Sequence, residues 1–132
     1  MKQKEIRVLL VEPGEHPKEI TILNDLDSLQ KVVSIGTEHQ GLIEIIGIDD
    51  RVCILCNKEG KLIGLDGNRR VGNDIIAGVF YVVGEDGCGN LVSLPEKEME
   101  KYKELFWEPE YFIESAVADA IVMYLLEGWL YE

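Results

Sequence analysis

Long hydrophobic runs, cysteines, histidines and basic residues are all scarce in this chain, and each scarcity removes a class of function. The longest uncharged apolar stretch, Ile75 to Gly84, falls far short of the ~20 residues that span a bilayer. At the amino terminus Val8-Leu9-Leu10-Val11 runs straight into Glu12 and Pro13, too short for the apolar core of a signal peptide. The expectation is a soluble, cytoplasmic protein with no membrane partner. Three cysteines cannot all pair within one chain, so reduced thiols are expected. Cys53 and Cys56 have the spacing of a metal or redox pair, but residues three apart on a strand point to opposite faces. Cys88 lies in a separate glycine-rich turn and brings no second pair. His16 and His39 fall in different polar loops; they could ligate a metal with carboxylate help, and solvated positions are the plainer reading. Neither a metal nor any other cofactor is expected.

Bases are outnumbered, 13 Lys and Arg against 25 Asp and Glu, for a net charge of -12. The imbalance is uneven: residues 85–132 hold twelve acids and three bases, so they carry -9 of the total. A phosphate backbone would be repelled by most of such a surface, and direct nucleic-acid binding is not expected. Acidity of this kind mainly keeps a small protein soluble.

What is present is ordinary globular material, 132 residues with 46% apolar content, enough for one domain with a closed core. Arg7–Val11 and Glu19–Ile22 read as a hairpin about Pro13-Gly14. In "NDLDSLQKVV", Asn24 or Asp25 can cap a helix on which Leu26, Leu29 and Val33 recur at helical spacing. Two strands, "LIEIIGI" and "RVCILC", follow. If Asp49-Asp50 is their two-residue loop, Ile43, Ile45, Val52, Ile54 and Cys56 share an apolar face that should meet the helix. Glu44, Ile46, Ile48, Arg51, Cys53 and Leu55 then share the other. "DIIAGVFYVVG" reads as one strong strand, with Gly78 marking a bulge or a close approach. Ser93-Leu94-Pro95-Glu96 has the form of a capping box for a helix striped by Met99, Tyr102 and Phe106. A second helix, with Phe112, Val117, Ile121 and Tyr124 on its apolar face, should end at Gly128. The predicted fold is α+β: a mostly antiparallel sheet with a ββαβββ, β-grasp-like core, followed by two C-terminal helices. Residues 1–94 would form the core and residues 95–132 a helical extension packed on it, one domain overall.

No P-loop, HExxH, GxSxG or Rossmann pattern occurs. In "GEDGCG" Glu85 and Asp86 would repel a phosphate, so a hairpin turn is expected there. Ser34, Ser93 and Ser115 read as helix-end, capping and packing residues. No catalytic residue is assigned. The remaining concentration of chemistry is "LCNKEGKLIGLDGNRRVGND", where Asn57, Asp66, Asn68, Arg69, Arg70 and Asp74 could converge at strand ends. Arginine can hold a carboxylate or phosphate through two parallel bonds, and asparagine both donates and accepts. The same residues suit a surface turn whose arginines pair with the chain's own carboxylates, and on the residues alone that is the favoured reading.

Four stretches in order, "VLLVEPGEHPKEITI", "DSLQKVV", "CILCNKEGKLIGLDGNRR" and "DIIAGVFYVVG", resemble the domain-of-unknown-function 3846 family over about residues 6–105. Cys56-Asn57, Glu59-Gly60, Gly64-Leu65 and Asn68-Arg69 carry the likeness. Asp66-Gly67 stands where the family pattern has prolines, and "IGTEHQG" departs from a shorter connection. The resemblance implies a small bacterial protein of phage or conjugative-element setting, and no reaction. It places recognition by the arginine segment level with the surface-turn reading. Three functions follow. The first is a non-enzymatic interaction module, accessory to a mobile genetic element, that binds a protein partner or a second copy through Phe112, Val117, Ile121, Tyr124 and Trp129. The second is a polar-ligand or nucleotide-binding protein built on Asn57 and Asn68-Arg69-Arg70. The third is an acidic DNA mimic acting against restriction.

Overall fold

The computed structural model describes residues 3–38 and 40–113. Eight strands and two helices are found there: β1 (Glu5–Val11), β2 (Lys18–Leu23), α1 (Leu26–Val33), β3 (Ile43–Asp49), β4 (Val52–Asn57), β5 (Gly67–Val71), β6 (Asp74–Ala77), β7 (Phe80–Glu85), β8 (Leu91–Val92) and α2 (Glu96–Leu105). The fold is α+β. Its main sheet runs β2-β1-β7-β4-β3, with β8 beside β7, and β5–β6 form a separate two-stranded ribbon. Every described pairing is antiparallel, and the β5–β6 excursion makes the order longer than the expected ββαβββ.

Strand alternation divides the core into two layers. Leu9, Val11, Val52, Ile54, Cys56, Phe80 and Val82 face Met99 and Tyr102 of α2 and its C-cap Phe106, together with Ile76 of the ribbon. Ile6, Val8, Cys53, Leu55, Tyr81 and Val83 face Leu29 and Val33 of α1. Each fully buried aliphatic side chain contributes roughly 1.5–3 kcal/mol, so the two layers carry most of the driving force. Cys53 and Cys56 lie in opposite layers, as strand geometry requires.

The first hairpin and α1 form where the sequence places them. Asp25 rather than Asn24 caps the helix, its carboxylate accepting from the Ser28 N–H at 2.8 Å. Asn24 is buried and donates to the Gln3 and Leu91 carbonyls, both at 3.0 Å. Three expectations need correction. The β3–β4 loop is Asp50-Arg51, with Asp49 opposite Val52 and Arg51 at φ 56°. Beyond the bulge between Gly47 and Asp49 the pairing is one residue from the expected register, with Ile46 opposite Ile54, and a one-residue slip exchanges the faces. Ile46 and Ile48 pack with Val52, Ile54 and Cys56 toward α2, while Cys53 and Leu55 meet α1.

Second, "DIIAGVFYVVG" is two strands in two sheets. Gly78, at φ 84°, turns the chain between them, and a Cβ there would lie 2.6 Å from Leu65 Cδ1. Third, α2 begins after Pro95 without a side-chain cap, because the Ser93 hydroxyl accepts instead from the Arg7 N–H at 2.9 Å. The "GEDGCG" segment is the expected turn. Glu85 accepts from the N–H groups of Gly87 and Gly89, and Asp86 from those of Cys88 and Asn90. The expected final helix lies outside the described residues.

Candidate functional site

The arginine segment is a strand, β5, rather than a loop. Alternation on it sends Arg69 inward and leaves Arg70 outside, and Arg69 is only 1% exposed. Its guanidinium donates from Nε to the Phe106 carbonyl (3.1 Å), from Nη1 to Asn68 Oδ1 (2.8 Å) and the Asn68 carbonyl (3.2 Å), and from Nη2 to the Glu15 carbonyl (2.6 Å). Asn68, wholly buried, donates in turn to the Val11 and Gly78 carbonyls, both at 2.9 Å. Burial pushes the Arg69 pKa down from its ordinary value, and the Glu110 carboxylate opposes that shift. The pair is a buried polar knot that joins β5 to the end of α2, the β1–β2 turn and the β6–β7 junction. A neighbouring contact serves the same turn: the His16 ring stacks on Trp107 at 4.2 Å, and His16 Nδ1 donates to the Trp107 carbonyl at 2.6 Å.

The other expected site residues do not converge on this knot. Arg70 gives its backbone N–H to Glu110 Oε1 at 3.2 Å, and its guanidinium lies 5.8 Å from the Phe112 ring centre. Phe112 is half-buried there, while Val117, Ile121, Tyr124 and Trp129 lie outside the described residues. Asp66 is exposed, and its carbonyl accepts from the Gly78 N–H. Asp74 pairs with Lys61 at 2.5 Å and accepts from the Ile75 N–H.

Asn57 stands apart, at the end of β4. It is 95% buried (5% exposed), and its Oδ1 accepts from the Glu59 N–H at 2.8 Å. That bond fixes which way the amide points. Nδ2 faces the other way and is buried with no hydrogen-bond partner. Gly41 lies directly against it, and a Cβ at Gly41 would overlap the amide. Asn57 and Gly41 share the wall of a concavity of about 390 Å³ with Gly36, Thr37, Glu38, Gln40, Glu59, Ile63 and Leu65. Two peptide segments make this cavity: the α1–β3 connection and the turn after β4. The connection is anchored by the Gly41 N–H donating to Ser34 Oγ (2.7 Å) and by Gln40 Nε2 donating to Gln30 Oε1 (2.9 Å).

Asn57 also lines a second, small polar space of about 20 Å³ together with Glu44, Cys56, Lys58, Lys61 and Asp74. Burial raises the Glu44 pKa and pushes the Cys56 thiol up to about 12, helped by the Glu44 and Asp74 charges. A thiol so placed stays protonated and is a poor nucleophile. Elsewhere the carboxylates of Glu19, Glu96 and Glu100 lie within 4.8 Å of one another, but Glu19 also meets Arg7 at 3.6 Å and Lys103 at 3.7 Å.

Sequence reasoning picked out Asn57 and missed the rest of its cavity. The available signal was "IGTEHQG", a glycine-bracketed insertion relative to the expected connection, which supplies Gly36, Thr37, Glu38, Gln40 and Gly41. No described helix is long and apolar enough to cross a membrane. No curated protein and no solved structure matches the chain. A family model described as a domain of unknown function does match, over residues 6–107, and on that extent the chain belongs to the DUF3846 family.

Proposed function

We propose that the protein is a non-enzymatic binding module whose ligand site is the cavity at Asn57. One observation carries this reading: a buried side-chain donor with no partner, at the wall of a concavity of about 390 Å³. An orphaned buried donor costs roughly 1–3 kcal/mol, an arrangement that a ligand acceptor would relieve. The cavity is within the size range of small-molecule sites. Asn68 and Arg69 give the nucleotide-site alternative no support, because their polar groups are bonded to the protein's own carbonyls.

A protein partner is the second reading, favoured by the outer edge of the sheet. There β3 leaves one backbone edge unpaired among the described strands, beside exposed Leu42 and Ile45. Met99, Tyr102 and Phe106, packed in the core, support treating residues 1–94 and the helical extension from residue 95 as one domain. The phage or conjugative-element setting implied by the resemblance would make such a module an accessory protein.

The test is an NMR screen of polar fragments using the Asn57 side-chain amide and the Gly41 backbone amide as reporters. A ligand should move both resonances together. A chemically broad library that leaves both unmoved would refute the cavity as a ligand site.

A further inference from the structure

We infer that the ligand of the Asn57 cavity is an organic cation, an amine or guanidinium, that also carries a carbonyl-type acceptor and an aliphatic arm. This rests on reading the cavity as a ligand site. The acceptor follows from the orientation of Asn57: its Oδ1 is taken by the Glu59 N–H, so the group left to offer is the N–H of Nδ2. A ligand must accept there. Gly41 lies directly against the Asn57 amide, so its amide resonance reports an acceptor taken by Nδ2.

The cation follows from the charges. Glu38 and Glu59 line the cavity, and no Lys or Arg is among its described lining residues. Lys58 and Lys61 line the smaller space that Asn57 also borders, where Lys61 is held by Asp74. Among the described lining residues a phosphate or carboxylate would therefore meet two like charges and no Lys or Arg, whereas an ammonium or guanidinium meets two carboxylates. The aliphatic arm follows from Ile63 and Leu65, which form the apolar part of the wall.

Titration of the ¹⁵N-labelled protein with three probes tests this: N-acetyl-L-argininamide, its neutral counterpart N-acetyl-L-norleucinamide, and adenosine monophosphate. The arginine probe should shift the Asn57 side-chain, Gly41 and Glu59 resonances saturably, with the neutral probe at least about tenfold weaker. The Glu38→Gln/Glu59→Gln double variant, altered only at exposed positions, should lose about tenfold for the arginine probe and little for the neutral one. If the nucleotide or the neutral probe binds as well as the cation, or the double variant binds the cation unchanged, the cationic assignment is overturned while the cavity remains a ligand site. If no probe of any charge moves Asn57 and Gly41, the cavity reading itself falls.

Discussion

Replacing Arg69 with methionine should be among the most damaging single substitutions in this protein, and its cost can be worked from the contacts. Methionine keeps much of the arginine's length and packing but removes all the donors. Four hydrogen bonds are lost, to the Phe106, Asn68 and Glu15 carbonyls and to Asn68 Oδ1. Glu15 is exposed, so its carbonyl can turn to water, but Phe106 and Asn68 are buried. Each buried acceptor left without a donor costs roughly 1–3 kcal/mol. Removing a desolvated cation returns part of that sum, since burial already works against the charged Arg69. The net loss is about 3 kcal/mol, a large share of the 5–15 kcal/mol that holds a typical domain together. With a urea slope of about 1–3 kcal/mol per molar, the unfolding midpoint should fall by about 1.5 M. Circular dichroism against urea at neutral pH measures it, with Arg70→Met as the control because Arg70 is exposed and gives only its backbone N–H to Glu110. Arg69→Lys should be nearly as damaging, since an ammonium cannot reach three directions at once. Equal midpoints for Arg69→Met and Arg70→Met would refute the buried knot.

Three further outcomes follow from the same geometry. Gly41→Ala forces a Cβ into the pinned Asn57 amide and should cost about 1–3 kcal/mol in urea unfolding. Adding Asn57→Ala should recover much of that loss, and strict additivity would show that the two residues do not touch. In the native protein one thiol, Cys88, should react with a maleimide, while buried Cys53 and Cys56 react only after unfolding; rapid native labelling of two or three thiols would contradict the placement. Asp49 accepts from Lys101 Nζ at 2.8 Å and Tyr102 Oη at 3.0 Å, and these bonds with the Asp50 N–H hold its pKa at about 2, below the ordinary 3.8. Its contribution is present above pH 3.8 and is lost as pH falls through about 2, so the stability gap between wild type and Asp49→Asn should close over that window. A gap independent of pH would be evidence against the bond.

The parts of the fold legible in the sequence are those that local rules decide. Pro13-Gly14 and Asp25 mark their turn and cap by their own chemistry, and the alternation in "RVCILC" sends Cys53 and Cys56 to opposite layers. The β3–β4 register is not local in this sense. Asp49, Asp50 and Arg51 are all acceptable turn residues, and what selects Asp50-Arg51 is a bulge at Ile48 that lets Ile46 and Ile48 both join the α2 layer. A sequence pattern that is apolar on both faces cannot distinguish the two registers. The split at Gly78 is similar: the apolar run continues unbroken through it, because both sides are buried, although in different sheets.

Arg69 was illegible for the opposite reason. In a chain this acidic, charge alone predicts that an arginine finds a carboxylate or the surface, yet among the described residues no Asp or Glu side chain accepts from its guanidinium. Backbone carbonyls are invisible to any count of charged residues, and two segments distant in sequence, with the adjacent Asn68, supply them here. Asn68 fills the gap by accepting from Arg69 while donating to two more carbonyls, so both side chains are consumed in joining the ribbon to the sheet. The consequence reaches the proposed site. With the conspicuous polar pair spent on architecture, the buried side-chain donor left over among the described residues is on the inconspicuous Asn57, and its neighbours Glu38 and Glu59 come from two turns that no spacing rule connects. A recognition site in this fold is therefore better sought among the groups the structure leaves unpaired than among the charges the sequence makes prominent.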